Sequence, residues 1–180
     1  LERVRTQHGP LHVVVHAAGV AAGAVLQDQD AETMRHVWRP KADGAWFLHE
    51  HTVRKDQQLG TFILYSSLSA IFGNRSQLNY CAANEYLDGL ARWRRTRGLP
   101  ATSVQWPFVS GVGMVGSVEQ IDKKMSVSPE VVKWVVKTAV QKSLQSQDLP
   151  VWPVLTRDYV LTVAEMPTLK FMMSNLKVRV

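Results

Sequence analysis

Apolar positions along the chain fall into short continuous runs separated by stretches of helical periodicity. Leu11 to Ala17 (LHVVVHA) and Thr61 to Ser67 (TFILYSS) are of strand length, and both read as strands buried on two faces. Between them, roughly Ala31 to Thr52, apolar residues recur at Met34, Val37, Ala45 and Leu48, a helical stripe. Pro40 removes a helical hydrogen bond, so this helix is expected to start only there. A loop through Gly73 and Asn74 leads to a second helix, about Gln77 to Arg97, with its stripe at Ala83, Leu87 and Leu90 and its stop at Gly98 and Pro100. Ala101 to Trp106 is a third strand, ended by Pro107. Ser128-Pro129-Glu130 supplies a helix start, with a capping hydroxyl, a proline in the first turn and an acid near the positive end of the helix. That helix carries Val131, Val132, Val135, Val136 and Ala139 on one side, and Pro150 to Leu155 reads as a last strand. Residues 1–8 look like the end of a preceding helix.

Strands alternating with helices predict an α/β fold built on a doubly wound parallel sheet with right-handed crossovers. Ligands of such sheets bind beyond the carboxyl ends of the strands. Ala17-Ala18-Gly19, Ser66-Ser67 and Trp106-Pro107 fall at that edge.

Composition narrows the classes. The chain has 180 residues, 46% apolar and 20% charged, which suits one globular domain and excludes a disordered chain. The single cysteine, Cys81, excludes an internal disulfide framework and is compatible with a reducing compartment. No apolar run reaches membrane-span length, and no signal peptide opens the chain. The net charge of +6 leaves two partner classes, nucleic acid or an acidic protein. The densest basic cluster is Arg92, Arg94, Arg95 and Arg97, with Arg92 and Arg95 turned away from the apolar stripe, and it reads as a solvated helix face. Neither zinc-finger spacing nor an aromatic-basic RNA motif supports nucleic acid. His16, His36, His49 and His51 lack metal-ligand spacing and read as structural or exposed, and Cys81 reads as a small hydrophobe.

The candidate chemistry begins with Lys41, which lies on the apolar stripe of the Ala31–Thr52 helix and must either snorkel out or meet a partner. Tyr80 and Asn84, four apart, share one face of their helix. Ser67 ends a strand thirteen residues before Tyr80. Each alone has an ordinary structural reading. Together, Leu64-Tyr65-Ser66-Ser67 and Asn79-Tyr80-Cys81-Ala82-Ala83-Asn84 resemble the active-site block of short-chain dehydrogenases, with Asn84 where most members carry Lys. Ketoreductase domains of polyketide synthases and animal-type fatty acid synthases exchange the two and take the Lys from an earlier helix. Pro40-Lys41-Ala42-Asp43-Gly44-Ala45-Trp46 with Leu48-His49 resembles that stretch, and His16-Ala17-Ala18-Gly19-Val20 and Arg97-Gly98-Leu99-Pro100-Ala101 also match.

The resemblance implies a Rossmann-like fold and NADPH-dependent reduction of a β-ketoacyl thioester carried by an acyl carrier protein, within a multidomain polyketide or fatty acid synthase in the cytoplasm. It implies Lys41, Ser67, Tyr80 and Asn84 as catalytic residues, and His16, Ala17, Ala18, Gly19, Lys41, Tyr80, Trp106 and Pro107 around the cofactor. Tyr80 would give the proton, Ser67 would bond the substrate oxygen, and the Lys41 ammonium would lower the Tyr80 pKa. Asn84 would hold Lys41 or a relay water. Gly111-Val112-Gly113-Met114-Val115-Gly116 fits GxGxxG, but lacks the strand immediately before it and the downstream acid of a dinucleotide fingerprint. By resemblance Gly111, Gly113, Met114 and Gly116 belong to a substrate lid.

The chain departs from the family in three places. Nothing before Leu11 supplies the first strands and glycine-rich loop that bind the cofactor phosphates, so the fold is expected to be incomplete. Residues 1–156 would be the catalytic portion of a domain and 157–180 a tail or linker, the whole a piece of a longer polypeptide that alone binds NADPH weakly. Trp106-Pro107 stands where members often have Trp-Gly. Ala21-Ala22-Gly23 replaces the Leu-Asp-Asp of one product stereochemistry, and Phe72 the Trp of the other. Two other readings stay open: a non-catalytic structural piece of such a synthase, and a free-standing dehydrogenase, against which Asn84 argues.

Overall fold

A computed structural model describes residues 1–55, 59–111, 126–145 and 149–156. Four parallel strands form the sheet, β1 (Val13–His16), β2 (Thr61–Ser67), β3 (Thr102–Trp106) and β6 (Val151–Pro153), in that spatial order. The short strands β4 (Phe108–Val109) and β5 (Ser126–Val127) pair separately. The helices are α1 (Glu2–His8), α2 (Ala31–Trp38), α3 (Gly44–Lys55), α4 (Ser69–Phe72), α5 (Leu78–Thr96) and α6 (Pro129–Leu144).

The alternation along β2 divides the core in two. Phe62 and Leu64 pack with Val14, Ala45, Leu87, Leu90 and Ala91 on the side of α3 and α5. Ile63 faces the other way and packs with Val104, Val127, Val135 and Ala139 on the side of α6. Helices on both faces of a parallel sheet make the doubly wound α/β architecture that the sequence predicts.

Three expectations need correction. The Leu11–Ala17 run is not buried on both faces: among the described residues β1 is an edge strand with alternating burial, Val14 and His16 inward, Val13 and Val15 each more than 40% exposed. The helix carrying Lys41 does not start at Pro40. It runs through, because Arg39–Asp43 widens into a π turn between α2 and α3. That turn has room for a residue with no N–H to give and a ring that would crowd an α-helical carbonyl. In α6, Val131 and Trp134 face solvent while Val135, Ala139 and Ser143 are buried. Its cap residue, Ser128, makes no side-chain bond to the helix amides; the Ser128 hydroxyl instead helps hold the Glu130 carboxyl below its ordinary pKa.

Candidate active site

The sheet brings β2 and β3 into register so that Ser67 lies beside Trp106. The carboxyl ends of the strands therefore present His16, Ser67 and Trp106 along one edge, and α5 begins above it. Asn79 fixes that beginning. It is buried, its Oδ1 accepts the Tyr80 N–H at 2.8 Å, and its Nδ2 donates to the Ala22 carbonyl at 2.9 Å. The loop after β1 is thereby tied to the first turn of α5. Gly23 sits so close to that turn that a Cβ there would lie 2.8 Å from the Ser76 carbonyl oxygen.

The π turn directs Lys41 inward, where it is 3% exposed. Its Nζ donates to the Tyr65 carbonyl at 2.8 Å and lies 5.3 Å from the Tyr80 ring centroid, within reach of a cation–π attraction. A Cβ at position 19 would stand 2.9 Å from Lys41 Cε, so Gly19 leaves the passage through which the lysine runs. Burial lowers the Lys41 pKa to about 8, opposed by the negative charge of Asp88. Most of the amine is still protonated at neutral pH.

The side chains of Ser67 and Asn84 lie close enough to Tyr80 to influence its phenol. Burial pushes the Tyr80 phenol above the ordinary tyrosine range, and hydrogen bonding with the side chains of Asn84 and Ser67 offsets part of that shift. Desolvation is the largest cause of that shift. Asn84 Nδ2 donates to the Tyr80 carbonyl at 2.8 Å, while its Oδ1 is buried with no hydrogen-bond partner. Ser67 Oγ accepts from the Ser69 N–H.

Of the other anticipated residues, His16 is buried with its ring bonded to the Lys41 carbonyl at 2.9 Å, which makes it a brace for the π turn. Ala17 and Ala18 lie exposed just after β1. Trp106 is buried, its Nε1 without a partner, and Pro107 follows it. Gly111 has φ +73°. Gly113, Met114, Gly116 and the tail 157–180 lie outside the described residues.

Two buried side chains escaped the sequence reading. Asp88 follows Asn84 by one further turn and is wholly inaccessible, accepting from Ser103 Oγ and from Gln105 Nε2. Arg94 belongs to the core and not to a solvated basic face. It is 1% exposed, bonds His49 Nδ1 at 2.7 Å and the Pro100 carbonyl at 3.1 Å, and lies over the Phe62 ring. The available signal was its spacing: Arg94 falls four residues after Leu90 and seven after Leu87.

Among the described residues no three His, Cys, Asp or Glu side chains gather as metal ligands would, and no helix is long and apolar enough to cross a membrane. Ser67, Tyr80, Asn84 and Lys41 thus lie towards the carboxyl edge of a parallel α/β sheet. The comparisons agree: residues 1–111 match the KR domain model, and the chain belongs to that family, the ketoreductase domains of modular polyketide synthases. It is 46% identical over 113 residues to the spectinabilin polyketide synthase system protein NorB of Streptomyces orinoci, covering 63% of this chain and 5% of that one. It is 42% identical over 124 residues to the pikromycin polyketide synthase component PikAII of Streptomyces venezuelae, covering 68% of this chain and 3% of that one. Among solved structures, an A1-type ketoreductase aligns with a TM-score of 0.74 at 30% identity, over 93% of this chain and 37% of that chain. The chain thus spans a small part of the curated relatives and just over a third of that solved ketoreductase.

Proposed function

We propose that the chain carries the proton-donating half of an NADPH-dependent ketoreductase site that reduces a β-ketoacyl thioester, borne by an acyl carrier protein, to its β-hydroxyacyl form within a multidomain polyketide synthase. The observation that carries this reading is the convergence of Ser67, Asn84 and Lys41 on the Tyr80 side chain.

Reduction of a ketone needs hydride on carbon and a proton on oxygen. NADPH, when bound, supplies the hydride. Tyr80 supplies the proton; burial makes its phenol a weaker acid, and the Lys41 ammonium near its ring favours the phenolate that proton transfer leaves. The Ser67 hydroxyl hydrogen-bonds the ketone oxygen as charge develops on it. Once Tyr80 gives up its proton, the Lys41 ammonium near its ring stabilises the phenolate. Asn84, with a buried oxygen that has no partner, holds the water or hydroxyl through which Tyr80 is reprotonated.

The residues fit the nicotinamide-ribose end of the cofactor. The orphaned Asn84 Oδ1 and Trp106 Nε1 are polar groups awaiting partners, and the Lys41 ammonium has N–H groups beyond the one given to Tyr65. Lys41 and Tyr80 would hold the ribose, with His16 to Gly19 and Trp106-Pro107 beside the ring. For the pyrophosphate, no glycine-rich turn runs from a strand directly into a helix among the described residues. The net charge of +6 suits an acidic carrier partner.

The test is a reductase assay of the chain, alone and joined to the N-terminal half of a related ketoreductase domain, with carrier-bound and free β-ketoacyl thioesters. Reduction by the joined form, fastest on the carrier-bound substrate, supports the reading. Equal use of small free ketones points to a free-standing dehydrogenase, and no turnover with any substrate points to a structural piece.

A further inference from the structure

Asn79 is 1% exposed and lies directly before Tyr80 in the first turn of α5. A buried side-chain amide needs partners for its donors and its acceptor, and Asn79 finds them on three separate stretches of chain. Its Oδ1 accepts the Tyr80 N–H at 2.8 Å, and its Nδ2 donates to the Ala22 carbonyl at 2.9 Å and to the Thr33 carbonyl at 3.2 Å. The Tyr80 N–H depends on that acceptor, because first-turn amides have no carbonyl partner within their own helix. The first turn-spanning bond of α5 is the one from the Cys81 N–H to the Gln77 carbonyl.

Both Nδ2 bonds lead to Lys41. Thr33 lies in the first turn of α2, which a reciprocal pair of bonds with Asp30 fixes in place, and α2 continues through the π turn that carries Lys41. Ala22 lies in the loop after β1, where Gly19 leaves the passage for the Lys41 stem. That loop meets the approach to α5 twice more, at a backbone bridge between Ala24 and Gln77 and where Gly23 nears the Ser76 carbonyl. Ser76 takes φ +59°, the one positive φ at a non-glycine residue among the described residues, a conformation that the surrounding contacts must hold. Further along, α2 and α5 touch through the Trp38 and Tyr86 rings, 5.2 Å apart. Apolar packing is non-directional and tolerates sliding; the Asn79 hydrogen bonds are directional and set the register of the two helices.

We propose that Asn79 is a positioning residue that sets the separation of the Tyr80 ring and the Lys41 ammonium, its one buried amide tying the start of α5 to the loop beside the Lys41 stem and to the helix that leads into the π turn. This role rests on the reductase reading for its purpose, though not for its measurement. The hydrogen bonds of the Asn79 side chain go to backbone groups, so it acts through the chain that carries Tyr80 and Lys41 and takes no part in the proton transfer itself. Alanine at position 79 would deprive the Tyr80 N–H and the Ala22 carbonyl of these partners and would free α5 to shift against α2.

The test is an NMR comparison of the full chain with isotope-labelled lysine in wild type, Asn79→Ala and Arg94→Ala, the Lys41 signal assigned with Lys41→Arg. In wild type the Tyr80 ring should set the Lys41 side-chain shift apart from those of the exposed Lys133, Lys137 and Lys142. Arg94→Ala, a loss from the core, should lower the melting temperature and leave the Lys41 shift in place. Asn79→Ala should lower the melting temperature and also carry the Lys41 shift most of the way to the exposed-lysine value. A folded Asn79→Ala chain with an unmoved Lys41 shift, or an Arg94→Ala chain that moves it as far, overturns the proposal. Should Asn79→Ala fail to fold, hydrogen exchange of wild type decides. The Tyr80 N–H and the Asn79 side-chain N–H protons should exchange as slowly as the Cys81 N–H; exchange of either at the rate of an unpartnered amide overturns the proposal. Turnover of Tyr80→Phe, in a preparation shown to bind NADPH, separates the two ideas. If that variant stays active while the Lys41 shift depends on Asn79, the reductase reading falls and the Asn79 role stands. If Tyr80→Phe is inactive while the Lys41 shift ignores Asn79, the reverse holds.

Discussion

Lys41 Nζ lies 5.3 Å from the centre of the Tyr80 ring, although the two residues come from different helices. This juxtaposition depends on the π turn at Arg39–Asp43, on Gly19 leaving room for the lysine stem, and on His16 bracing the Lys41 carbonyl. If the contact serves the reaction, Lys41→Ala should depress both turnover and cofactor affinity, since it removes the charge beside Tyr80 and a ribose contact. Turnover in an active preparation and calorimetric titration of NADPH report the two effects separately. A loss confined to turnover would remove Lys41 from the cofactor contacts.

Gly19→Ala probes the same contact without touching the lysine. Its Cβ would meet Lys41 Cε at 2.9 Å, and the flexible end of that side chain can yield. The expected outcome is a nearly unchanged melting temperature with a clear drop in turnover, read by calorimetry and assay on one preparation.

Arg94 and Arg92 give a stability contrast. Arg94→Ala would leave a cavity over Phe62 and deprive His49 Nδ1 of its partner, at a cost of about 2–4 kcal/mol. Arg92, exposed and paired with the exposed Glu85, should cost less than about 1 kcal/mol when replaced by Ala. Urea denaturation of the two variants checks the difference.

The fold should weaken in mild acid. His16 is held below the ordinary value of 6.5, by burial first and by the Lys41 charge, with the bond to the Lys41 carbonyl opposing. His49 is also held below it, by burial first and then by Arg94. A depressed histidine stays neutral in the fold while the unfolded chain takes up its proton. Stability is therefore retained above pH 6.5 and lost as pH falls from 6.5 toward the folded-state values. Asp88, raised by burial, works the other way nearer its own range. Melting temperatures from pH 8 to 5 should decline below 6.5, and His49→Gln should flatten the decline.

Much of this was legible in the sequence. Strand runs and helical stripes are local patterns, so β2, β3 and α5 appear close to their observed limits and α6 at its observed start, and Tyr80 with Asn84 needs only a period of four residues. The π turn was not legible, because a proline in a helical stripe predicts a break unless tertiary packing supports a wider turn. The exposed side of β1 was hidden because Val13-Val14-Val15 is equally apolar on both faces. Arg94 was grouped with a solvated basic face and Asp88 was not singled out, because their partners come from elements distant in sequence: His49 and Phe62 for one, Ser103 and Gln105 for the other.

The account's central claim is that the Tyr80 hydroxyl delivers the proton. Tyr80→Phe removes that hydroxyl and nothing else. Its most direct test is single-turnover reduction of a carrier-bound β-ketoacyl thioester by wild type and Tyr80→Phe, in a preparation shown to bind NADPH, with cofactor affinity measured alongside. The predicted result is a rate lower by about 10²–10⁴-fold with cofactor affinity retained. Full turnover by Tyr80→Phe would contradict the claim.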